Sequence, residues 1–160
     1  MESNPGTLPD QLRLLAENER AIGSLYEEYA RHLPEHEDFW LGLAAEERQH
    51  AEWIEQLGAS ESATSGLKPR FTIEAIRTFA AYIREQHGYA KQGTTMAASV
   101  ATAYGIETAL MERRFFEQRP QMSPDEAAVI ARIRRETEQH VVKTKDALTT
   151  FVNTSAADTP

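Results

Sequence analysis

The sequence predicts an all-α fold built from two long helical hairpins, on three observations. Apolar residues recur at spacings of three, four and seven through most of the chain, the mark of amphipathic helices. No segment alternates with period two between turns, so strands are not expected. Proline and glycine punctuate the chain so that tight turns join the first pair of long segments and the last pair.

Pro5, Gly6 and Pro9 precede the first periodic segment, about Asp10 to Arg31, in which Leu12, Leu15, Ile22, Leu25, Tyr26 and Tyr29 share a face. Pro34 closes it. The second segment carries Phe39, Trp40, Leu43, Ala44, Trp53, Ile54 and Leu57 and stops before Gly58, read as a C-terminal cap. Ala59 to Pro69, rich in Ser, Ala and Gly, reads as a loop. Thr72 then caps a shorter helix from Ile73 to about His87, with Ile76, Phe79, Ala80 and Ile83 on its apolar side. Gly88 and Gly93 bracket a break, and a further helix is expected from Thr95 to Gln118, where Pro120 forbids continuation. Ser123, Pro124 and Glu126 form a capping box at the start of the last helix, expected to run to near Val152.

The result is four long helices of roughly 22–29 residues, each about 33–43 Å at ~1.5 Å per residue, plus the short one. The long stretch between Gly58 and Thr95 makes a crossover. Two hairpins joined in this way have the connectivity of a ferritin-like four-helix bundle. The expected organisation is a flexible N-terminus over 1–9, the ferritin-like helical bundle over 10–152 and a disordered tail over 153–160, whose apolar content is too low to dock.

Composition narrows the chemistry. A chain of 160 residues, 41% of them apolar, can bury one continuous core. Its net charge of −8 argues against nucleic acid and anionic membranes as partners, since both are polyanions. The absence of cysteine excludes disulfides, thiolate zinc sites and cysteine-ligated iron–sulfur clusters. No stretch approaches the ~18 apolar residues of a membrane span, and the first residues have neither the basic nor the apolar region of a signal peptide. A cytoplasmic protein is expected.

Five acidic and imidazole positions fall inside this pattern. Glu47 and His50 are three apart, so they share a helix face, and they lie on the stripe of Trp40, Leu43, Ile54 and Leu57 that should point inward. Glu19 sits mid-way along the first helix, on one face with Tyr26; neighbouring Glu17 is the alternative inward acid. Glu107 interrupts the apolar run SVATAYGIETALM, and a carboxylate there needs a partner. In the last helix Ile130, Ile133, Thr137, His140, Thr144 and Leu148 trace the inward stripe, so His140 mirrors His50. A weak internal repeat agrees: EERQHA recurs as ETEQHV, with 28 residues from Glu19 to Glu47 and 29 from Glu107 to Glu136.

This set of residues resembles the rubrerythrin branch of the ferritin-like di-iron carboxylate proteins, over most of the chain from about Leu12 to Leu148 and most strongly in the first hairpin. The resemblance implies metal ligation by Glu19, Glu47, His50, Glu107 and His140, and a bordering role for Tyr26 as a hydrogen-bond donor. It implies iron, two ions or one, with manganese or zinc able to substitute, and oxidase or peroxidase chemistry fed by an external electron donor. A homodimer is the expected assembly. Two departures stand out. Thr137 occupies the place of the fourth glutamate, so Glu136, about 100° away around the helix, is expected as the remaining carboxylate ligand, swinging in as the backbone or rotamer adapts. Leu110 replaces an additional carboxylate of the third bundle helix, and without cysteine no rubredoxin-type iron module can be built from this chain.

These departures bear on charge. Four glutamates would balance two divalent ions, whereas three predict one tight and one weak position, or a mononuclear centre. The competing expectation is a degenerate, metal-poor bundle acting as a dimeric scaffold. Other conspicuous residues have plainer readings: Trp40 and Trp53 as packing, His32 and His36 as solvated turn residues, His87 as a helix-end cation, and Arg132, Arg134 and Arg135 as an exposed, salt-bridged face.

Overall fold

The computed structural model describes residues 7–69, 71–113, 116–118 and 122–157. Among them the chain forms six helices, α1 (Leu8–His32), α2 (Glu37–Gly58), α3 (Glu61–Gly66), α4 (Ile73–Ala90), α5 (Met96–Arg113) and α6 (Pro124–Ala157). A 3-10 turn at Pro34–His36 joins α1 to α2, and β1 (Leu67–Pro69) pairs with β2 (Phe116–Gln118). The all-α expectation holds, with this one short ribbon added.

Helices α1 and α2 pack as one hairpin, α5 and α6 as another, and α4 lies along α1. Cross-contacts fix the directions. Arg20 meets Glu55 while Glu27 meets Arg48, so α1 and α2 are antiparallel. His50 meets Glu136 while His36 meets Phe151, so α2 and α6 are antiparallel too. Asn18 reaches the Ile76 carbonyl and Glu28 reaches His87, so the crossover helix α4 runs parallel to α1. Buried Glu28 also holds Arg31 and His32, which makes His32 a partner of the α1–α4 joint rather than a purely solvated residue.

Several boundaries differ from those expected. Helix α1 begins at Leu8 because Thr7 accepts from the Asp10 amide, and Pro9 falls in the first turn, where a missing N–H costs nothing. Residues 1–6 and 158–160 lie outside the described residues. The loop after α2 holds α3, whose Ala63 amide is taken by the Ser60 hydroxyl. Helix α2 includes Gly58, and Ala59 caps it in a right-handed conformation. Gly88 stays helical within α4; the break falls at Gly93, whose φ of 115° is open to glycine at no steric cost. Helix α5 stops at Arg113 rather than Gln118, because Phe116–Gln118 pairs antiparallel with Leu67–Pro69, Lys68 opposite Glu117. Helix α6 continues past Val152 to Ala157, taking 153–157 out of the expected tail. Its capping box forms as expected, with the Glu126 amide donating to Ser123 Oγ and the Ser123 amide to the Glu126 carboxylate.

The apolar core comes in two parts. One gathers Leu12, Leu15, Ile54, Leu57, Ile76 and Ile130 at the end where α3 lies. The other gathers Ile22, Tyr26, Trp40, Leu43, Ile83 and Ile106 at the opposite end. Trp40 is a core residue here, in ring contact with Phe39, Tyr26 and Tyr29. Between the two parts, one layer of the bundle is polar. Close approach of α1 to α2 occurs beside that layer, at Gly23: a Cβ there would stand 3.2 Å from the Ala44 carbonyl oxygen and 3.6 Å from Glu47 Cβ.

Two stability outcomes follow from these local features. Gly23→Leu forces a large side chain against α2 backbone and lowers unfolding free energy by about 1–3 kcal/mol, read as a lower urea midpoint. Ser123→Ala removes one half of the capping box and costs about 1 kcal/mol in the same assay.

Candidate metal centre

The polar layer is built by four helices, each contributing from its inward stripe. Glu19 comes from α1, Glu47 and His50 from α2, Glu107 from α5 and His140 from α6, and none is more than 6% exposed. The i, i+3 spacing in α2 turns both Glu47 and His50 to the same side, where they meet Glu19 across the Gly23 contact.

Two groups form among the described residues: Glu19, Glu47 and His50, and Glu47, Glu107 and His140. Within each, one ligand atom per residue lies within 4.8 Å of the others, and Glu47 belongs to both. His50 Nδ1 is 3.4 Å from Glu47 Oε2, His140 Nδ1 is 2.7 Å from Glu47 Oε1 and 3.5 Å from Glu107 Oε2. The two imidazole rings face each other with centroids 5.7 Å apart. Tyr26 Oη donates to Glu107 Oε1 at 2.6 Å, so the phenol borders the layer from the Trp40 side.

Despite these approaches, Glu19 Oε2, both Glu47 oxygens, Glu107 Oε2 and His140 Nδ1 are buried without a partner in hydrogen-bond geometry. Buried carboxylate oxygens left unpaired are costly, several kcal/mol for an ionised group. Their convergence is therefore the chemistry of a cation site: hard oxygen donors with imidazole nitrogen, the set that suits iron, manganese or zinc. Each group can hold a metal ion, and the pair is compatible with a two-metal site.

Without a cation the layer can lower its cost only by redistributing protons. Burial, reinforced by Glu47 and then Glu107, raises the Glu19 carboxyl well above the usual range. Burial and Glu47 also raise Glu107, against the pull of His140 and Tyr26. Burial opposes ionisation of Glu47, but His140 and His50 beside it outweigh that and hold its carboxyl low. Burial disfavours the His140 cation, yet Glu107 and Glu47 together push its imidazole up to about 11.

Of the residues singled out from the sequence, Glu19, Glu47, His50, Glu107, His140 and Tyr26 come together as expected. Glu136 does not join either group. It meets the far side of the His50 ring, with Nε2 donating to Glu136 Oε2 at 3.0 Å, while Arg132 Nε donates to its other oxygen at 2.8 Å. The Arg132 guanidinium also lies 4.6 Å over the Trp53 ring, which is itself 5.9 Å from the His50 ring. Thr137 is buried, but its hydroxyl donates back to the Ile133 carbonyl at 3.0 Å and supplies no substitute carboxylate. Leu110 packs in the apolar core.

One residue escaped the sequence reading. Glu46 accepts a hydrogen bond from His140 Nε2 and lies 3.5 Å from Lys143 Nζ. The signal was present: aligning EERQH with ETEQH by their histidines sets Glu46 against Glu136 and Glu47 against Thr137. Compared with protein-family models, curated proteins and solved structures, the chain matches none of them significantly.

The proton inventory gives the metal-free protein a pH dependence. A raised imidazole contributes stability that is complete below its unfolded value near 6.5 and is lost as pH rises toward about 11. Glu19, raised by burial, acts in the same direction from its unfolded value upward. The thermal midpoint of chelator-treated protein therefore falls between pH 7 and pH 10, and His140→Gln flattens that decline.

Proposed function

We propose that the protein is a ferritin-like metal-binding protein of the rubrerythrin type, holding a two-metal centre, iron being the metal, or a single ion. The observation that supports this is the pair of buried Glu/His groups sharing Glu47, with five of their polar atoms lacking a hydrogen bond. Glu19 and His50 serve one position, Glu107 and His140 the other, and Glu47 serves both. Iron held there supplies oxidase or peroxidase chemistry toward dioxygen or peroxide, its electrons arriving from a separate protein. Tyr26 fixes one oxygen of Glu107 and leaves the other turned to the centre. The two apolar clusters above and below the layer keep bulk water from it. In keeping with a protein that works away from the bilayer, no helix is long and apolar enough to cross a membrane among the described residues, and a cytoplasmic homodimer completes the reading.

Three carboxylates against two divalent ions leave the centre one positive charge over, so the two positions differ in affinity. That imbalance, and the back-bonded Thr137 hydroxyl, favour the second reading, a metal-poor bundle serving as a dimeric scaffold. Element analysis of protein purified after iron supplementation separates the two. On the metal reading iron co-purifies, and Glu47→Gln lowers uptake at both positions by more than the ~10–100-fold typical of an outer partner. No bound metal, together with unchanged stability in His50→Ala, overturns the metal reading and favours the scaffold.

A further inference from the structure

We propose that the corner where α4 passes into α5 is a binding site for a small, neutral, hydroxylated aromatic molecule. The inference is independent of the metal-binding reading. Tyr29, at this corner, lies ten residues along α1 from Glu19, about 15 Å at ~1.5 Å per residue. The corner shares no side chain with the two Glu/His groups.

A cavity of about 340 Å³ opens there. Its floor is Tyr29 of α1 and Ala90 of α4, both buried, and Tyr89, Gly93 and Ala98 form an exposed rim. The backbone around it is already satisfied. At the end of α4 the amides of Lys91, Gln92 and Gly93 return to the carbonyls of His87, Tyr89 and Ala90. At the start of α5 the Thr95 carbonyl takes the Ser99 amide and its hydroxyl takes the Ala98 amide. Gly93 turns the chain between the two helices, and a Cβ there would meet nothing within 4 Å, so no side chain fills this side of the turn.

The walls select a class of occupant. Among the described residues no Asp, Glu, Lys, Arg or His lines the cavity. A charged ligand would give up its hydration here with no opposite charge to receive it. Burial pushes the Tyr29 phenol up to about 12, against the pull of Thr102 beside it, so it keeps its proton and stays a neutral hydroxyl. The apolar surface is the rings of Tyr29 and Tyr89 and the methyls of Ala90 and Ala98. Flat aromatic surface favours another flat ring. The Tyr89 ring is held at the rim by its hydroxyl, which donates to Glu85 at 3.3 Å.

Polar groups are few and placed at one side of the turn. Thr94, Thr95 and Thr102 present hydroxyls, and Gln86 an amide. The Thr94 hydroxyl is fixed 2.9 Å from Ser99 Oγ, and a hydroxyl with one bond made still has capacity for a ligand oxygen. Apolar walls with a small number of placed polar groups are the make-up of small-molecule sites, which begin at about 300 Å³. A cavity of about 150 Å³ holds benzene, so the volume here admits a fused or substituted ring.

The probe is naphthol, titrated into the full-length chain and followed by calorimetry and by backbone amide NMR shifts. Saturable binding is expected, with shift changes centred on the cavity segment from Gln86 to Thr102. Tyr29→Phe keeps the ring, removes the hydroxyl and weakens binding by about 3–10-fold. Ala98→Phe fills the cavity from its exposed rim and abolishes binding with the thermal midpoint unchanged; should that midpoint fall, Tyr29→Phe carries the test. Naphthalene sulfonate, a like ring with a negative charge, binds more weakly than naphthol, and methyl glucoside, a neutral ring without aromatic faces, more weakly still. No saturable binding of naphthol, shift changes centred elsewhere, equal affinity for the sulfonate, or tighter binding of the glucoside each overturns the proposal. None of these outcomes bears on the metal reading.

Discussion

A layer of buried charge across the middle of the bundle is the constraint on which the remaining structure depends. Five acidic and imidazole side chains from four helices occupy a plane where hydrocarbon would otherwise continue, and they split the core into two apolar clusters. Both clusters draw on α1, α2, α4 and α6, so the two ends can pack well only if the middle is electrically satisfied. Local features near the layer follow from that demand. Gly23 lets α1 approach the α2 backbone beside Glu47, and Tyr26 gives Glu107 its one hydrogen bond from inside the core.

The polar layer also explains why the outer shell is charged rather than apolar. His50 and His140 are buried at the ring but each has one nitrogen directed outward, and an acid with a surface cation behind it meets that nitrogen on both sides. Arg132, which the sequence presents as one of several exposed basic residues, is part of this arrangement through Glu136 and Trp53. Trp53 thus lies at the border of the centre, unlike Trp40, which is enclosed with Tyr26, Tyr29 and Phe39.

Much of this was legible from residue spacing. Helix identities, the hairpin turns, the capping box at Ser123 and the inward acids and histidines all depend on local periodicity, which a chain displays without its tertiary partners. What depends on long-range contact was not. The β1–β2 ribbon is three residues a strand, too short for alternation to register, and its formation shortens α5 at Arg113. That α4 covers α1, running parallel to it, is a long-range contact that the periodicity of α4 alone does not name. Glu136 adjoins the expected ligand position in sequence, which is all that spacing can register. Its carboxylate is shared between Arg132 of its own helix and His50 of α2, and only the match with Glu46 in the repeat hints at the second.

Glu47 serves both halves of the centre while its repeat counterpart is Thr137. In a two-fold arrangement either helix could in principle supply the shared carboxylate, so one copy is expendable as long as the other persists. In this chain α6 does not supply it, so a change at residue 47 removes a carboxylate from both groups at once, whereas a change at residue 137, whose hydroxyl is turned back to the Ile133 carbonyl, removes none.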